Sequence, residues 1–294
     1  MSHETHPPGA RSEPPTDGSS LLQLVRRHDR DRYQTVLFAR ARLREPLLAL
    51  YVFNYEIARV RESVTEPMLG QIRLQWWREV VDAAYAGTPP RQHPVVLPLT
   101  AAIRELRLSR RHFDRLIDSR ERDLAEEPPA TLAALEDYAE GSSAPLVELA
   151  LEALGLREPG LQEVARQVGI GYALAGLLRA LPFHARAGRS HIPVDIVTRE
   201  VVDLSDDAAG PATTALRPVL REIAEIAAHH LSAARERNVA VPRSAIAALL
   251  PAVIARRWLT RLRRAGYDPF APGLAAPDPW QIWSLAAAAL LNRF

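Results

Sequence analysis

The sequence predicts an all-α fold, and three observations carry that expectation. Apolar residues recur at the i, i+3, i+4 spacing of one helix face through ten segments between Leu21 and Leu291. Proline and glycine punctuate the intervals, at Pro67, Pro89–Pro90, Pro128–Pro129, Pro159–Gly160, Gly188, Gly210–Pro211, Pro242 and Gly266. No sustained period-2 alternation, the mark of a half-buried strand, occurs between turn residues.

The segments run in order Leu21–Val25, Leu47–Val60, Ile72–Tyr85, Leu99–Leu106, Phe113–Leu124, Leu132–Leu154, Leu161–Leu181, Leu216–Val239, Ile246–Leu262 and Ile282–Leu291. Ser109 precedes one of them and suits an N-cap, where a hydroxyl satisfies a free amide. The first twenty residues, MSHETHPPGARSEPPTDGSS, are polar and rich in Pro and Ser. They lack the apolar surface to offset the entropy of ordering, so residues 1–20 are expected to be a disordered tail and 21–294 one helical domain. No apolar run resembling a secretory signal follows them. The longest apolar stretch, Ala245–Ala255, falls short of the roughly 20 residues that span a bilayer and contains Pro251. The expectation is a soluble or peripheral protein. Asp203–Pro211 reads as a surface loop.

The absence of cysteine excludes disulfides, zinc ribbons and thiol nucleophiles, and fits a reducing compartment. There is no lysine, which excludes a Schiff base and a phosphate-loop lysine. The formal charge of +2 is too small for a dedicated nucleic-acid binder. No Gly-rich phosphate loop, GxSxG elbow or HExxH is present.

Leu50–Glu62, LYVFNYEIARVRE, resembles the first substrate-binding helix of squalene and phytoene synthases, an aromatic LYxF lead-in followed by a DDxxD-type acidic motif. Gly169–Ala180, GIGYALAGLLRA, is similar to that family's second signature, in the register of GxAxQLTNILRD. Gly188–Asp195, GRSHIPVD, resembles its GRxYLPxD segment, and Leu116–Leu124 and Tyr138 stand at further family positions. The order and spacing run from about Tyr33 to Val239. The resemblance implies an all-α isoprenoid (class I terpenoid) synthase-like helical bundle with a central cavity. In active members two carboxylates at i and i+4 share a helix face, two such helices oppose each other, and their carboxylates hold magnesium against the substrate diphosphate.

Here the pattern fails. The first motif's acidic positions fall on Ala58, Arg59 and Glu62, of which Glu62 alone is a carboxylate. In the second, the Gln, Asn and two Asp positions fall on Ala173, Gly176, Ala180 and His184, while Arg179 is kept. No catalytic residue and no metal are therefore expected. A narrower branch fits better: NYEIARVR at Asn54–Arg61, QIRLQWWREVVD at Gln71–Asp82, GLLRALPFHA at Gly176–Ala185, and YDPF at Tyr267–Phe270 followed by PDPWQIWSLAAAAL resemble the mitochondrial complex I assembly factors of this superfamily and their bacterial relatives. That resemblance implies complex I subunits or assembly intermediates as partners and a cytoplasmic location, peripheral on the inner membrane.

Several residues admit two readings. Tyr51 and Phe53 line the cavity or fill the core. Arg59, Arg61 and Arg179 either converge as an anion site with Glu62 nearby or pair with acids such as Glu56 and Glu62. Asp114–Asp118, with Glu121, is a salt-bridged solvent face or the refuge of a magnesium site. Of Trp76 and Trp77, about 100° apart on a helix, one is expected in the core and the other half exposed. His184 and His191 suit structural roles better than metal binding, and His229–His230 diverge. Arg256, Arg257, Arg261, Arg263 and Arg264, interleaved with Ile254, Trp258, Leu259 and Leu262, suit an anionic membrane surface or a solvated helix face. Three functions stay open: a non-catalytic assembly factor, a magnesium-dependent prenyltransferase with Glu56, Glu62, Asp114 and Asp118 as ligands, and an isoprenoid or lipid carrier.

Overall fold

The computed structural model describes residues 20–125, 127–199, 216–237 and 239–294. Among them every regular element is a helix. In order these are α1 (Leu21–His28), α2 (Arg30–Val36), α3 (Ala41–Ala58), α4 (Pro67–Tyr85), α5 (Val96–Leu106), α6 (Arg110–Glu121), α7 (Leu132–Ala153), α8 (Pro159–Arg186), α9 (Val194–Arg199), α10 (Arg217–Glu236), α11 (Ile246–Leu249), α12 (Pro251–Arg264), α13 (Pro272–Ala275) and α14 (Gln281–Leu290).

Several of the prolines expected to separate helices instead begin them. Pro67 and Pro159 occupy first-turn positions, where the missing N–H costs nothing, and so does Pro251, which was not expected to break its segment. Pro251 accordingly divides the single segment expected over Ile246–Leu262 into α11 and α12. Helix α2 was invisible to the apolar period because RDRYQTV is mostly polar. It is fixed by the Asp29 carboxylate, which accepts from the Arg32 amide at 3.0 Å and its guanidinium at 2.7 Å. The expected tail (all but Ser20) and the Asp203–Pro211 loop lie outside the described residues.

Helix α8 is the axis of the molecule and packs against α7, α10 and α12. It is long and apolar enough to cross a bilayer by length and composition, yet it lies at the centre of the core. Two glycines allow the close approach. A methyl group on Gly169 would lie 2.4 Å from the Ala144 Cα of α7, and one on Gly171 2.6 Å from the Leu231 Cγ of α10. On the other side of α7, helices α3 and α6 complete the bundle, with α4 and α5 outside them. One continuous hydrophobic core runs from Val25 to Phe294. Trp77 is buried within it and Trp76 half-buried at its edge, as the 100° step between neighbours requires.

Candidate functional site

The C-terminal end of α3, the end of α6, the start of α7 and the C-terminal half of α8 enclose a cavity of about 720 Å³. Helix α3 contributes Ala58, and the turn after it Arg61 and Glu62. Helix α8 contributes Leu177 and His184, and the segment beyond it Arg189 and His191. Ala173, Gly176, Ala180 and His184 follow one another at three- and four-residue steps, so they share a face of α8. A Cβ added to Gly176 meets nothing within 4 Å. Of these four, His184 lines the cavity, beside Leu177 of the same helix.

Charge in the cavity is nearly balanced. Arg61, Arg120, Arg122 and Arg189 line it together with Glu62, Asp123, Glu127 and Asp137. Asp123 accepts from Arg120 at 3.2 Å, and Asp137 pairs with Arg122 at 2.7 Å. Glu62 and Glu127 stand at exposed positions. Arg120 reaches the wall because it continues the apolar stripe Phe113, Leu116, Ile117 of α6, a signal present in the sequence and overlooked in favour of the acidic stripe beside it. Its guanidinium also donates to the Tyr138 hydroxyl at 3.0 Å. Burial raises the Tyr138 phenol above its ordinary range, with Arg120 opposing the shift.

His184 and His191 meet with ring centroids 4.5 Å apart. Each has a buried Nδ1 with no hydrogen-bond partner among the described residues. Burial pushes His184 down to about 4, helped by His191 and Arg189. Burial likewise lowers His191. Both rings are therefore neutral at pH 7, and each keeps a buried, unused nitrogen in the cavity wall. Sequence spacing could not pair them, because the turn after Arg186 returns the chain over the end of α8.

Several expected site residues lie elsewhere. Phe53 is fully buried, edge-on to Trp77 and Phe113, and Tyr51 is buried beside Arg32. Both belong to the core and neither lines this cavity. The anion site expected from Arg59, Arg61 and Arg179 does not form. Arg59 sits one residue past Ala58, so it turns by about 100° toward α4 and pairs with Glu56 at 3.3 Å. Arg179 projects from another side of α8 and donates to Asp31 of α2 at 2.7 Å. Arg61 alone of the three lines the cavity. Gln281 also donates to Asp31, at 2.9 Å, and the neighbouring Arg179 charge holds that carboxyl below its ordinary range against the opposing effect of burial.

The second carboxylate set also disperses. Asp118 points outward and pairs with Arg78 at 2.6 Å, and Asp114 pairs with Arg110 at 3.2 Å. With Glu121 they form the salt-bridged outer face of α6. Among the described residues no three His, Asp or Glu side chains are grouped so as to hold a metal ion. The basic stripe of α12 is largely consumed within the fold. Arg257 holds Asp278 at 2.6 Å, Arg261 donates to the carbonyls of Gly273 and Ala276, and burial lowers Arg256 to about 10. Only Arg263 and Arg264 remain exposed, so the stripe offers no continuous membrane face. His230 bonds to Gln167 and Glu136, apart from the cavity. Ser109 does begin α6, but its hydroxyl donates to Glu152 at 2.6 Å and leaves the helix amides uncapped.

Residues 25–281 match the squalene/phytoene synthase family. A mouse protein named NADH dehydrogenase (ubiquinone) complex I, assembly factor 6 is 33% identical over 90% of this chain and 80% of its own length. The human protein of that name is 32% identical over 86% and 76%. A presqualene diphosphate synthase of Rhodopseudomonas palustris is 26% identical over 85% and 88%. Among solved structures, a dehydrosqualene synthase superposes with a TM-score of 0.79 at 17% identity, covering 92% of this chain and 94% of that one. A squalene synthase from Alicyclobacillus acidocaldarius gives 0.75 at 22% identity, covering 85% and 94%. The helical order, the cavity at the ends of α3 and α8 and these matches agree: the chain belongs to the squalene/phytoene synthase family.

Proposed function

We propose that this protein is a non-catalytic assembly factor for respiratory complex I, cytoplasmic and peripheral on the inner membrane. The observation that carries the proposal is the 33% identity to the mouse assembly factor over nearly the whole chain. The cavity chemistry supports it. A magnesium cluster needs several carboxylate oxygens free to converge on the cation. Here the α8 wall offers Leu177 and His184, and arginines occupy Asp123 and Asp137. That donor set does not fit a magnesium cluster. The cavity instead offers balanced charge, hydrogen bonding and two neutral imidazoles, a surface suited to holding rather than ionising a ligand. Deleting the gene should lower NADH:quinone oxidoreductase activity in membranes of the host, with the wild-type gene restoring it. Normal activity in the deletion strain refutes the assembly role. Conversion of farnesyl or geranylgeranyl diphosphate to a longer hydrocarbon by the purified protein with magnesium would refute the non-catalytic part.

A second reading, an isoprenoid or lipid carrier, draws on the 720 Å³ of space that the fold retains. Mass spectrometry of lipids extracted from the purified protein tests it, and an extract free of stoichiometric lipid removes it.

A further inference from the structure

Helix α14, QIWSLAAAAL, carries no charged residue, yet it lies at the surface. Its inward face is firmly held. Leu285 is fully buried, and Gln281 bonds to Asp31 at 2.9 Å and Gln34 at 2.8 Å. Beyond the helix, Asn292 donates to the Val241 carbonyl at 2.8 Å and Phe294 is buried. The outward face is fixed by the same contacts. Trp280, Trp283, Leu290 and Leu291 fall on one side at helical spacing and are 66%, 68%, 73% and 64% exposed. Two large indoles and two leucines on one face make a contiguous apolar stripe of the kind that marks an interaction surface.

The stripe begins at the rim of a second cavity, about 450 Å³, on a different side of α8 from the first. Five arginines and two carboxylates line it, and both carboxylates, Asp31 and Asp278, are already paired with two of those arginines. Arg30 and Arg186 are exposed there and have no ion-pair partner among the described residues. Arg293 is exposed at the opposite end of the helix. An apolar stripe bounded at both ends by guanidiniums matches a bilayer surface, where indoles settle at headgroup depth and arginines meet lipid phosphates. A second copy on the same face would bring one positive rim against another.

We propose that α14 is an interfacial membrane helix that docks this protein on an anionic phospholipid bilayer, with Trp280, Trp283, Leu290 and Leu291 entering the interface and the arginine cavity receiving a lipid phosphate. Docked this way, the cavity between α3 and α8 faces away from the arginine rim. The proposal deepens the peripheral location proposed above and is independent of the assembly role, since vesicle binding and complex I activity are read in separate experiments.

Vesicle flotation of the full chain tests it. Wild-type protein should float with phosphatidylcholine vesicles containing phosphatidylglycerol and only weakly with phosphatidylcholine alone. Trp280→Ser with Trp283→Ser should lower partitioning by roughly tenfold or more. Arg30→Gln with Arg186→Gln should lower binding to the anionic vesicles by about fivefold per residue and leave the weak neutral binding unchanged. The four side chains are exposed, so thermal unfolding should match wild type. Lipids with brominated chains should also quench wild-type tryptophan fluorescence, a readout that needs no variant. Wild-type protein that stays unbound to anionic vesicles, or a double tryptophan variant that floats equally well, overturns the proposal. So does a wild-type dimer that the tryptophan changes convert to monomer, because the stripe would then be covered by a second copy.

Discussion

His112 and His184 are both imidazoles largely withdrawn from water, and their surroundings treat that withdrawal in opposite ways. His112, on α6, lies 3.1 Å from Glu148 and 3.6 Å from Glu152 of α7. Glu152 also accepts from the Ser109 amide and hydroxyl and pairs with Arg157. Burial opposes the charge on His112, but these carboxylates outweigh it and raise its pKa. Burial likewise opposes the charge on Glu152, yet His112 and Ser109 bring it down to about 2. His184 has no such partners, and burial with a neighbouring imidazole drives it down. The first cluster is a closed polar lock between helices. The second belongs to a cavity wall and leaves buried hydrogen-bonding capacity unmet.

The contrast breaks most clearly at Glu152. Glu152→Ala strands His112 and the Ser109 amide inside the protein and should cost about 3 kcal/mol or more of unfolding free energy in urea titrations. A loss below about 1 kcal/mol would mean that the lock is no stronger than a surface ion pair.

The two stretches of α8 give the next largest difference. Gly169→Ala places a methyl group against the α7 backbone and should destabilise by about 1–3 kcal/mol. Gly176→Ala places one in open space and should stabilise by about 0.5–1 kcal/mol through helix propensity. Equal effects from the two changes would contradict the open space beside Gly176.

The pH dependence separates the histidines by sign. The His184 pKa is depressed in the fold, so between about 6.5 and 4 the unfolded chain takes up a proton that the folded chain refuses. Its contribution is present above 6.5 and lost as pH falls. The His112 contribution is present below 6.5 and lost as pH rises through its raised pKa. Urea midpoints should therefore decline below about pH 6.5, and His184→Leu should flatten that decline. An unchanged slope in this variant would place the acid sensitivity elsewhere.

The smallest effect is that of His184→Leu at pH 7. Removing an imidazole with an unused buried nitrogen should shift stability by no more than about 1 kcal/mol. A loss approaching that of Glu152→Ala would reveal a bonding partner for the ring.

Much of this was legible from the chain. The ten apolar segments each coincide largely with helix, Ile246–Leu262 with two, because a 3.6-residue period is a local property that burial in the fold only amplifies. The motif order also led to the family, and the register of small residues along Ala173, Gly176 and Ala180 marked one face of α8 in advance. Three arginines show the boundary of that reading. Arg59, Arg61 and Arg179 stood near the old acidic positions, yet they face three different surroundings. A shift of one residue turns a side chain by about 100°: Arg179 bonds to α2, Arg59 pairs within α3, and Arg61 lines the cavity. The five arginines of α12 misled for a related reason, since Asp278 and the Gly273 carbonyl, distant enough in sequence to carry no signal, claim two of them.

The sequence by itself determined the helical class and the family. Those are facts of local periodicity and residue identity. Only the tertiary structure decided that His184 meets His191, that Arg120 rather than Arg179 reaches the cavity, and that the apolar stripe of α14 faces outward. Each depends on which surfaces of distant helices come together, and ion pairing, desolvation and exposure take their sign from that neighbourhood.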